Sequence, residues 1–138
     1  TLAEIDINVS EVWDQLISGA GIQVGIISGG FDLSHVDLEF EQDLALDAIG
    51  AGTLNFQSDT DFTGTAVAGI IGARNNSEGI VGIAYEADLV PIRAVSDDQL
   101  NGTADATTNA TALRWRLGLI QDSDGDGIVD GGIDGFAD

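Results

Sequence analysis

Near its end the chain carries Asp122, Asp124 and Asp126 at every second position, followed by Gly127, Val129 and Asp130. Such spacing suits calcium, a hard cation that takes about six to eight oxygens at roughly 2.3 to 2.6 Å, and the glycine permits the sharp turn that curls three carboxylates onto one ion. Residues 122–138 contain six Asp and five Gly and read as a loop, so the same stretch would also suit a solvated acidic linker. Nucleophilic chemistry has little to draw on. There is no Cys, hence no thiol nucleophile, disulfide or thiolate zinc site, and the single histidine is His35.

The 138 residues hold 24 Asp+Glu against four cations, all Arg (Arg74, Arg93, Arg114 and Arg116), for a formal net charge of -20. Nucleic acid and anionic membrane surfaces are therefore excluded as partners, and calcium ions are the natural ones. Hydrophobic residues make up 43% of the chain, which argues for a folded domain rather than an acidic disordered tail. Apolar runs stay far short of the ~20 residues that span a bilayer. The missing initiator Met implies a processed chain or an excised fragment. Four Asn-x-Ser/Thr sequons begin at Asn8, Asn75, Asn101 and Asn109, and they matter only in a host that glycosylates.

The elements that must position these groups follow from periodicity. A capping box at Asn8–Glu11 predicts a helix with Val9, Val12, Trp13, Leu16 and Ile17 on its apolar side, ended by Gly19–Gly21. The β-branched run Gly21–Ser28 predicts a strand buried on both faces of a parallel sheet. A short strand is expected near Leu44–Ala48, and a small-residue helix over Thr63–Ala73, whose glycines allow close approach to a neighbour. Asn75–Gly79 reads as a turn and Asp88–Val95 as a second strand. Ala104–Leu119 reads as a helix with Ala106, Ala110, Leu113, Leu117 and Ile120 on one stripe. Trp13 and Trp115 are expected in the core. Strands alternating with helices predict an α/β fold, a parallel sheet flanked by helices over residues 1–121, with 122–138 as an appended acidic loop.

Two segments together resemble the subtilisin-like serine proteases, including the kexin branch. The first runs from the strand Gly21-Ile-Gln-Val-Gly-Ile-Ile-Ser28 through Gly29-Gly30-Phe31-Asp32-Leu-Ser-His35-Val36-Asp37-Leu38, where the family has D-[ST]-G and then x-D-x-x-H-P-D-L. The second is Thr63-Gly-Thr-Ala66-Val-Ala-Gly69 followed by Asn75-Asn76-Ser-Glu-Gly79-Ile-Val-Gly82-Ile-Ala84, where the family has H-G-T-H-V-A-G and N-N-x-x-G-V-x-G-V-A. The resemblance covers about residues 8–120 and implies the N-terminal half of a subtilase-like fold. It places the family's catalytic Asp on Ser28 and its catalytic His on Thr63. A threonine hydroxyl has no useful basicity near neutral pH, and a serine cannot stabilise an imidazolium by charge. The nucleophile block and the oxyanion-hole Asn belong to the family's C-terminal half, which this chain does not contain.

The resemblance also implies a calcium site built from Asp37, the Asn76 side chain and the carbonyls of Arg74, Glu78 and Ile80, with an empty turn as the alternative. The acidic loop is similar to those of EF-hands, dockerins and thrombospondin type 3 repeats. By that likeness the Ile128 carbonyl is a further ligand, and Ile133 stands at the usual bidentate position with Asp134 one residue late. The expectation is a catalytically inactive, calcium-stabilised domain of a larger extracellular or cell-surface protein, with a binding, folding or assembly role. The alternatives are a fragment of a split or nicked serine endopeptidase, completed by the missing C-terminal half, and a structural subunit whose open sheet edge pairs with another protein chain.

Overall fold

The computed structural model describes residues 7–55, 62–95 and 106–116. Along the chain these form α1 (Val9–Trp13), β1 (Gln23–Ser28), a 3-10 turn (Gln42–Leu44), β2 (Leu46–Asp47), α2 (Thr63–Gly72), β3 (Asp88–Arg93) and α3 (Ala106–Arg116). The three strands make one parallel sheet in the order β1-β3-β2, with Ser28 and Asp47 both in register with Arg93. Helix-flanked parallel strands are the α/β architecture that the alternating pattern predicts.

β3 is central and buried from Leu89 through Arg93, as expected of a parallel strand covered on both faces. One face carries Ile26 and Leu89, packed with Phe31, Leu38, Phe40, Ala68 and Ala73. The other carries Val90, Ile92 and Leu46 against Ala112 of α3. α2 lies so near the sheet that a Cβ on Gly72 would come within 2.8 Å of the Leu89 side chain. The helix's small residues are what that approach requires.

The carbonyls that α2 leaves unpaired at its C-terminal end are taken up by the 82–84 segment. Gly82, Ile83 and Ala84 donate their N–H groups to the carbonyls of Ala73, Ile70 and Ile71 at 2.8, 3.1 and 2.7 Å. That cap leads directly into β3.

Five local expectations are corrected. Asn8 adopts a left-handed conformation and makes no side-chain cap bond, so the capping box does not form. α1 ends at Trp13, contains no buried residue and leaves Leu16 90% exposed, because a five-residue helix presents too little apolar face to bury. Trp13 is half-buried rather than core: its indole N–H donates to the Ile83 carbonyl at 2.9 Å and its ring packs edge-on against Tyr85. β1 lies at the margin of the described sheet with one face open, so Ile26 is buried while Ile27 remains 41% exposed. In α3 the inward residue is Ala112, whereas Leu113 of the predicted stripe is 54% exposed. Leu117 and Ile120 lie outside the described residues, as does the side chain of Trp115.

Candidate functional site

The carboxyl ends of parallel strands are where open α/β sheets place ligands and catalytic groups. β1 reaches this edge at half-buried Ser28, then turns through buried Gly29 and Gly30 to Phe31. α2 begins beside it with exposed Thr63. The helix start is fastened to the strand end in two ways. The Asp32 N–H donates to Thr65 Oγ1 at 2.9 Å, and Gly64 packs against the Gly30 carbonyl and the Phe31 ring.

Arg93 closes the same edge from β3. Fully buried, it donates through Nη1 to the carbonyls of Thr53 and Asn55 at 2.8 and 2.9 Å, while the Phe31 N–H bonds the Leu54 carbonyl at 2.9 Å. The 53–55 loop is thereby held along the strand ends. The sequence counts Arg93 only as one of four scattered cations. Its position at the end of a β-branched run was the available sign that it is interior. What Ser28 and Thr63 bring to this edge is two hydroxyls, which supply neither a base nor a compensating negative charge near neutral pH.

A second constellation lies along the 32–38 loop. Asp32 Oδ1 accepts from the Ser34 N–H at 3.0 Å and from its hydroxyl at 2.7 Å, and the His35 and Leu38 amides bond back to the carbonyls of Asp32 and His35. This local winding carries Asp37 inward, where it is only 2% exposed. Its carbonyl accepts the Arg74 N–H at 3.0 Å, and its Oδ2 accepts the Ile80 N–H at 3.0 Å. Oδ1 is buried with no hydrogen-bond partner.

Asn76 Oδ1 accepts the Glu78 N–H at 2.9 Å, folding the 75–79 turn on itself. Gly79 sits at φ +45°, and a Cβ there would come within 2.3 Å of Asp37 Oδ2. Only glycine lets the turn close over the carboxylate.

Of the five sequence-derived ligands here, Asp37 is in direct hydrogen-bond contact with Arg74 and Ile80, and Asn76 with Glu78. The buried orphan Oδ1 fits a hard cation, because an ionised oxygen shielded from water costs several kcal/mol, to order of magnitude, unless a donor or cation meets it. The amide and carbonyl oxygens of the turn are the neutral donors that calcium accepts alongside a carboxylate. Among the described residues no group of three or more His, Asp or Glu side chains could hold a metal, so any site here is built mainly from neutral oxygens. Asp122, Asp124, Asp126, Ile128, Asp130 and Asp134 lie outside the described residues.

Comparison with known proteins places this geometry in a lineage. The description Subtilase family (peptidase S8) matches residues 19–128. The chain is 33% identical over 114 residues to the minor extracellular protease Epr of Bacillus subtilis (strain 168), an alignment covering 80% of this chain and 16% of that protein. It is 31% identical over 104 residues to the major intracellular serine protease of the same organism, covering 70% and 31%. Similarity to subtilisin DY of Bacillus licheniformis is 26% over 113 residues, covering 79% and 37%. The chain thus spans less than two-fifths of the length of each of these relatives, which include both extracellular and intracellular proteins.

Proposed function

The chain belongs to the subtilase family, and on that premise we propose that it is a catalytically inactive, calcium-binding member serving folding, binding or assembly within a larger extracellular or cell-surface protein. The observation that carries the proposal is the buried, unpartnered Oδ1 of Asp37, a carboxylate whose other oxygen is bonded to the 74–80 turn. Oδ1 would be the anionic ligand, with the Asn76 side chain and the carbonyls of Arg74, Glu78 and Ile80 completing the shell. When bound, the ion supplies positive charge to a carboxylate cut off from water and locks the turn to the 32–38 loop. The acidic run from Asp122 to Asp134 would provide a second, separate site.

Inactivity rests on Ser28 and Thr63. The relatives are named as proteases, and their chemistry in this lineage needs a carboxylate and an imidazole where this chain has hydroxyls. Relative to a working triad the loss is one of charge and basicity, which no rearrangement of two alcohols restores.

Calcium titration followed by melting temperature and bound-metal count is the test. Retained ion and a melting point that rises with calcium and falls with chelator are expected, together with no hydrolysis of a generic peptide or ester. No retained ion, or measurable turnover with serine-directed labelling, would overturn the respective half of the reading. One observation favours the second reading, a structural subunit: β1 has a partner strand on one side only within the described sheet and presents Ile27 beside that open edge. A monomeric mass with and without chelator would remove it.

A further inference from the structure

Arg74 brings two opposed groups to the turn beside Asp37. Its carbonyl is one of the neutral oxygens proposed above to face the ion, while its guanidinium carries the kind of charge that a cation site must keep at a distance. The residue follows directly on Ala73, the C-cap of α2, and its N–H donates to the Asp37 carbonyl at 3.0 Å. The guanidinium itself is engaged elsewhere: Arg74 Nη2 is paired with Oε2 of Glu39, just beyond Asp37 in the chain. These two side chains are 46% and 65% exposed, and an ion pair so open to water adds little to stability. What the pair does fix is the direction in which the positive charge points.

We propose that Glu39 is a positioning residue for the cation site: by holding the Arg74 guanidinium it keeps the chain's own positive charge off the unmet Oδ1 of Asp37 and leaves that oxygen to calcium. The proposal rests on the calcium reading above. Asp37 Oδ1 is buried with no hydrogen-bond partner, so positive charge of either origin would stabilise it. Arg74 is the cation tied by its backbone to Asp37 itself, which makes its guanidinium the internal rival of calcium. Released from Glu39 and turned toward Oδ1, it would have to be displaced before calcium bound. A site that is open only part of the time loses apparent affinity in proportion to that fraction, and Glu39 raises the fraction. Glu39 does this from outside the ligand shell. It lies one residue past the motif run that ends at Leu38, and its contact joins segments distant in sequence.

The test is a double-mutant cycle on the whole chain at about 0.15 M salt, where charges more than roughly 8 Å apart are largely screened. Calcium affinity is read from the NMR shift of the Ile80 amide. That N–H donates to Asp37 Oδ2, so it reports on this carboxylate rather than on the acidic run from Asp122 to Asp134. Glu39→Gln should weaken calcium at least about fivefold, the lower end of ordinary coupling energies. In an Arg74→Met background the same substitution should change affinity by less than about twofold, the scatter of independent sites, and the double variant should bind calcium no more weakly than the wild type. A pair that merely fastens the loop would leave the double variant as weak as Glu39→Gln. A Glu39 that binds the ion directly, or attracts it by charge alone, would make Glu39→Gln equally costly with and without Arg74. Either result, or an indifferent Glu39→Gln, overturns the proposal and leaves the calcium reading standing. An Ile80 amide that calcium does not move in the wild type overturns the calcium reading and this proposal with it.

Discussion

The strand end at Ser28 and the loop end at Asp37 belong to the same motif run, yet the first carries a hydroxyl and the second a carboxylate. At the strand end, where the family resemblance puts an acid and a base, the chain has a half-buried serine and an exposed threonine, two hydroxyls that carry no charge. At the loop end the chain keeps a carboxylate that is almost fully buried, with one oxygen unmet. A neutral pair can be carried at little cost. A buried charge is kept only where something compensates it, so the loop end is where a bound cation should be sought.

The comparison can be broken most forcefully at Gly79. Gly79→Val puts a side chain onto Asp37 Oδ2 at a left-handed position, and it should cost about 3 kcal/mol in urea unfolding and abolish calcium retention. Unchanged stability would mean that the turn does not close over Asp37.

Next in size is calcium itself. A hundredfold excess over Kd should add about 2.7 kcal/mol to unfolding, visible as a rise of several degrees in melting temperature and absent in Asp37→Asn. An equal rise in that variant would move the ion away from this loop. Arg93→Met probes the other region, removing two charge-assisted bonds to the 53–55 loop for about 2 kcal/mol. Hydrogen exchange at Phe31 and the 53–55 amides should accelerate, leaving the calcium response unchanged.

Smallest of all, Ser28→Ala and Thr63→Ala should each shift stability by no more than about 0.5 kcal/mol. The double substitution Ser28→Asp with Thr63→His in residues 1–138 should produce no ester hydrolysis, since an acid and a base by themselves form no acyl-enzyme. Turnover in that variant would show that another hydroxyl converges on the site.

Much of the frame was readable from residue patterns. The β-branched run at 88–95 and the small-residue helix at 63–73 emerge almost where periodicity puts them, because a central parallel strand and a helix pressed against it leave narrow choices of residue. Asn8–Glu11 and the 104–119 stripe were less readable. The first satisfies a capping pattern whose backbone goes elsewhere, and the second depends on which side of α3 meets Leu46, Val90 and Ile92. β1 shows the limit of composition: Ile26 and Ile27 are identical in type, and only their place on a marginal strand separates buried from exposed.

The order of chemical types along the chain is thus enough to establish the α/β class, the family likeness and the hydroxyls at Ser28 and Thr63, since these depend on identity and spacing alone. Which charged groups lose their water was decided by tertiary structure. In one dimension the only signs at Asp37 and Arg93 are a place in the family motif and a place at the end of a β-branched run, and both become interior only when the 74–80 turn and the 53–55 loop are folded over them. Burial is a property of segments distant in sequence meeting in space, so local pattern cannot report it.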